Sequence, residues 1–87
     1  MYNLMIAAYP TSSIRLMVTE GVEAKEVDSV LCFFPQLIVN VRDMLRKYDI
    51  QDITVYGPRT YITHVGNHLN SVLKDKDIKL AFAGEEI

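Results

Sequence analysis

SVLCFFPQLIVNVRDMLRKYDIQDITVYGPRTYIT, residues Ser29 to Thr63, decides how this chain folds. From Val30 to Tyr48 the apolar residues recur at helical spacing. Val30, Phe34, Leu37, Val41, Met44, Leu45 and Tyr48 fall on one stripe at about 3.6 residues per turn. Asp28 or Ser29 can cap such a helix with a side-chain oxygen. Arg46 and Lys47 suit its last turn, where the helix dipole is negative. Pro35 allows two readings, because inside a helix it removes a hydrogen bond and clashes with the preceding turn. Either the helix starts near Ser29 and bends at Pro35, or Val30 to Phe34 is extended and Pro35 opens the helix. The unbroken stripe favours the first. Beyond Tyr48, Asp49-Ile50-Gln51-Asp52 reads as a polar connection and Ile53-Thr54-Val55-Tyr56 as a strand. Gly57-Pro58 ends that strand. A second helix opens at Pro58 or Arg59 and runs to about Lys74, with Ile62, Val65, Leu69, Val72 and Leu73 inward.

The long helix carries more apolar surface than one stripe can bury. Leu31 and Ile38 widen the stripe, and Cys32 and Val39 lie almost opposite it. Either the domain covers both sides, or Leu31, Cys32, Ile38 and Val39 form an interface with a protein partner or a second copy.

Working outward, Tyr2 to Tyr9 is apolar on both faces, which suits the middle of a sheet. Pro10-Thr11-Ser12 is a turn. Ser13 to Glu20 alternates, with Ile14, Leu16 and Val18 on one face, and pairs back as a hairpin. Glu20-Gly21 turns again, and Gly21 is free to take positive φ. Val22 to Val27 is a weaker strand, charged enough to form an exposed edge. Ile78 to Phe82 is the last strand, after which Gly84 to Ile87 is expected to fray.

The expected order is β-β-β-α-β-α-β in one small α/β domain over 1–87. Its mixed sheet joins an antiparallel meander to parallel strands linked by right-handed crossovers. With Ser29 to Pro35 before the long helix, then Ile53 to Pro58 and Thr60-Tyr61, this order resembles the ribonuclease H-like superfamily. That superfamily includes one lobe of the actin-like ATPases and the bacterial partner protein of tRNA threonylcarbamoyl-adenosine synthesis. The Gly-Pro element looks like the strand–turn–helix of that partner protein. A ferredoxin-like α+β fold is the competing reading.

Nuclease members of that superfamily hold two metal ions on clustered carboxylates, one of them on the first strand. Here no Asp or Glu precedes Glu20, and Asn3 is the polar side chain the first strand offers besides its tyrosines. The charges that two-metal chemistry needs are missing. The acidic residue that the actin-like ATPases carry at the end of their first strand is missing as well.

If the first strand and the Ile53 strand are parallel neighbours, their ends bring Thr11, Ser12 and Ser13 near Gly57, Arg59 and Thr60. Hydroxyls, helix-start N–H groups and one Arg suit a small anion such as phosphate or a nucleotide. The plainer reading is a hairpin turn and a helix entry capped by Thr60. His64 and His68 share a helix face, but no third metal ligand lies at useful spacing. Cys32 has no evident activating base.

Composition narrows the function further. The 87 residues are 49% hydrophobic with a formal net charge of -2, and no basic run occurs. Phosphate-driven nucleic-acid binding is therefore disfavoured. One cysteine forms no internal disulfide, and no apolar run approaches a membrane span. The expectation is a cytoplasmic, non-enzymatic binding or assembly module without cofactor or metal, self-associating or bound to a protein partner. A small-anion binder or degenerate ribonuclease H-like enzyme is the alternative.

Overall fold

The computed structural model describes residues 1–10 and 13–82. They form a small, compact α+β domain with a radius of gyration of 12.2 Å. The strands are β1 (Tyr2–Ala7), β2 (Ile14–Glu20), β3 (Lys25–Cys32), β4 (Ile50–Gly57) and β5 (Ile78–Phe82). The helices are α1 (Leu37–Lys47), entered through a short 3-10 turn at Phe34–Gln36, and α2 (Arg59–Val72). One five-stranded sheet has the order β3-β2-β1-β4-β5. β2 pairs antiparallel with β1 and β3, whereas β4 pairs parallel with β1 and with β5. The apolar Tyr2–Tyr9 run therefore supplies the middle strand, as its two-sided hydrophobicity predicts.

Alternation sorts the strands into two faces. Leu4, Ile6 and Ala8 from β1 and the following residue, Ile14, Leu16 and Val18 from β2, and Ile53 and Val55 from β4 are all buried. They share one core with Leu37, Val41 and Met44 of α1 and Ile62, Val65 and Leu69 of α2. Both helices thus lie on the same side of the sheet. No helix among the described residues is long and apolar enough to cross a membrane.

The region before α1 corrects the favoured reading of Pro35. Val30 to Cys32 belong to β3, not to a helix, and α1 starts at Leu37 with Pro35 in the 3-10 turn ahead of it. Proline's fixed φ and missing N–H suit a first turn and would break an interior one. Phe33 is extended, with φ -98° and ψ 165°. Asp28 and Ser29 consequently cap nothing. Asp28 accepts a 3.0 Å hydrogen bond from the Tyr48 hydroxyl and lies 4.0 Å from Lys47 Nζ. Arg46 and Lys47 do occupy the last turn of α1.

Two further boundaries move. Val22 to Ala24 are turn rather than strand, and β3 begins at Lys25. Gly21 takes φ +78° as foreseen, but Ala24 also takes a positive φ, +55°. β4 starts at Ile50, so the polar connection shortens to Tyr48-Asp49. Gly84 to Ile87 and the turn residues Thr11 and Ser12 lie outside the described residues.

Candidate functional site

The ends of β1 and β4 meet as parallel pairing requires. Ala7 stands beside Tyr56, and the Ala8 N–H donates to the Tyr56 carbonyl at 3.0 Å. At this edge Gly57 has φ +151°, a region that side chains rarely enter. Its missing Cβ leaves room for the Ala8 carbonyl, which closes on the strand end. Pro58 then caps α2 through its carbonyl alone, which accepts from Ile62 N–H at 3.0 Å. Thr60 lies inside the first turn and is exposed, so the expected Thr60 cap does not form.

Of the anion-site residues, Ser13 is half-buried, Gly57 is buried, and Arg59 and Thr60 are exposed. The Arg59 guanidinium lies over the Phe82 ring, 3.9 Å from its centroid. Thr11 and Ser12 lie outside the described residues. A hollow of about 420 Å³ opens at the opposite end of the sheet, against Met1, Asn3, Gly21, Val22 and Asp52.

The interface residues divide. Leu31 and Val39 are 65% and 62% exposed. Cys32 is 7% exposed and belongs to the core, and Ile38 packs against that core. The helical reading put all four on α1. On strand β3 the period is two, so Leu31 and Cys32 face opposite ways. Phe33, absent from that set, is 65% exposed. The alternation from Leu31 through Phe33 is the signal that would have found it.

The corner between β3 and α1 is locally fixed. The Gln36 side-chain oxygen accepts from Phe33 N–H at 3.2 Å, and Gln36 N–H donates to the Phe33 carbonyl at 2.9 Å. Asn40 Nδ2 donates to the Gln36 carbonyl at 2.8 Å. These bonds satisfy backbone groups of the turn that lie at and before the start of the α1 hydrogen-bond ladder. Phe33 and Val39 are held out on this corner, while Phe34 turns inward. Its ring lies 5.3 Å from that of His64 and 5.1 Å from that of His68. The two histidines thus share a face, as expected; His64 is exposed and His68 half-buried, and the Phe34 ring packs against both. Among the described residues no three His, Cys, Asp or Glu side chains converge where a metal could be held. Burial pushes the Cys32 thiol up, away from the reactive thiolate.

Comparison with protein-family models, with curated proteins and with solved structures finds no match to this chain.

Proposed function

We propose that the chain is a non-enzymatic binding or assembly module that self-associates or binds a protein partner through the β3–α1 corner. One observation carries this reading: Leu31, Phe33 and Val39, within nine residues, are 65%, 65% and 62% exposed. Apolar side chains concentrated on a rigid turn are characteristic of interaction sites. The test is the mass in solution of the wild-type chain and of a Phe33→Glu/Val39→Asp variant. An associating wild type and a folded, monomeric variant support the reading. A variant that associates like the wild type overturns it.

The alternative, a small-anion binder or degenerate ribonuclease H-like enzyme, draws on the parallel pairing of β1 and β4, which brings Ser13 and Thr60 to one edge. Three strands before α1 and the order β3-β2-β1-β4-β5 support a ribonuclease H-like arrangement over a ferredoxin-like one, whose elements run β-α-β-β-α-β. Phosphate titrated against the amide spectrum should shift Ser13, Gly57, Arg59 and Thr60 if this reading holds. An unchanged spectrum removes it.

A further inference from the structure

We infer that the sheet face opposite the helices seats a second copy of this chain, packed face to face about a twofold axis that runs along β1. This rests on the self-association reading above, names the partner as a second copy, and moves the contact from the β3–α1 corner to the open sheet face, with Leu31 common to both. Pairing register places the open-face residues in rows. Leu31, Arg15, Ala7, Tyr56 and Ala81 form one row, and Ser29, Met17, Met5, Thr54 and Lys79 the next. The middle of the face is therefore apolar and rich in methionine, a side chain that adapts to a facing surface.

Charge lies on the flanks and in two places. Arg15 reaches Glu26 at 3.3 Å on the β2–β3 side, and Lys79 reaches Asp52 at 3.6 Å on the β4–β5 side. Arg15 stands opposite Leu31 and Glu26 opposite Thr19, so the first pair spans the intervening Met17–Ser29 row. A twofold along β1 lays the β4–β5 flank of one copy over the β2–β3 flank of the other. Lys79 then meets the partner copy's Glu26, and Asp52 meets the partner copy's Arg15, joining two ion pairs into a four-charge network. A twofold across the strands sets Lys79 against Lys79 and is disfavoured.

The area sets the strength. Five strands about 4.8 Å apart and about 17 Å long offer a flat footprint of roughly 400 Å² per copy. Even with side-chain relief, two such faces lie toward the low end for specific interfaces. The dimer is accordingly weak and concentration-dependent, with the two sheets roughly 10 Å apart.

The test uses two full-length variants, Glu26→Lys and Lys79→Glu, both at exposed positions. Each variant alone opposes like charges across both flanks. Mixed, they restore both opposite-charge contacts. The lysine introduced in one variant faces the glutamate introduced in the other, and the unaltered Lys79 of the first faces the unaltered Glu26 of the second. Sedimentation velocity over a concentration series should show the wild type dimerising, each variant weakened roughly tenfold or more, and the mixture recovering. Variants that dimerise like the wild type, or a mixture no tighter than its components, overturn the face-to-face dimer. If Phe33→Glu abolishes that remaining dimer, the corner reading survives alone. A wild type monomeric at every concentration removes self-association through either surface.

Discussion

Replacing Gly57 by alanine should damage this fold more than the same change at Gly21. Gly57 ends β4 with φ +151°. An alanine there occupies a backbone region that costs about 1–3 kcal/mol. Its Cβ would also collide with the Ala8 carbonyl and sit 3.0 Å from Ile62 Cγ2. The carbonyl is backbone, and Ala8 is held by its 3.0 Å bond to Tyr56. Relief therefore means parting β1 from β4, losing a hydrogen bond worth about 1 kcal/mol and straining a dense core by about 1–3 kcal/mol more. The sum is about 3–7 kcal/mol. A domain of this length holds roughly 4–13 kcal/mol in all. At about 4–8 °C per kcal/mol, the melting temperature should fall by at least about 12 °C, if the variant folds at all. Thermal unfolding followed by circular dichroism reads this directly. Gly21→Ala is the control, since Gly21 has φ +78° but nothing within 4 Å of an added Cβ. It should lose only about 1 kcal/mol or somewhat more from backbone strain. A Gly57→Ala protein melting with the Gly21→Ala control would refute the close strand-end packing.

Other consequences are simpler to check. Leu37 is fully buried at the start of α1, so Leu37→Ala should cost about 2–5 kcal/mol in urea unfolding. The Tyr48 phenol is held above its usual pKa, first by its hydrogen bond to Asp28 and then by desolvation and nearby negative charge. A raised folded-state pKa means its contribution is whole below pH of about 10 and lost as pH rises through the higher folded value. As pH rises above about 10, the melting temperature should therefore fall less steeply for Tyr48→Phe than for the wild type. Cys32, 7% exposed and with its thiol pushed up, should react with a disulfide reagent only slowly until urea unfolds the chain. Rapid labelling in native buffer would contradict its burial.

β2, β5 and α2 were legible because each has a single strong period, and β1 because both its faces are apolar, whereas β3 was read as Val22 to Val27 and β4 as starting at Ile53. Ile14, Leu16 and Val18 alternate without interruption, and all three are buried. β5 was readable end to end, since Ile78 to Phe82 is bounded in the sequence by Asp77 and by Ala83-Gly84. The start of α1 was not, for a specific reason. Val30, Phe34 and Leu37 satisfy helical spacing by coincidence, and Val30 and Phe34 do pack against the core, but from a strand and a 3-10 turn. Pro35 carried the better information: a ring that cannot donate and cannot sit mid-helix outweighs a matching stripe. Val22 misled differently. Its β-branched side chain suggests a strand, yet it follows Gly21 in a turn and stands fully exposed. Nothing in the local sequence announces that Ala24 will take a positive φ. Of the two candidate sites, the β1–β4 juxtaposition followed from topology. The apolar corner was only half visible, because assigning Leu31 and Cys32 to a helix hid the alternation that exposes Phe33.

The most direct test of the account is the mass of the wild-type chain in solution, by light scattering across a wide concentration range. Assembly predicts a mass that rises from 9.9 kDa toward twice that value as concentration increases. A mass of 9.9 kDa at every concentration would contradict self-association.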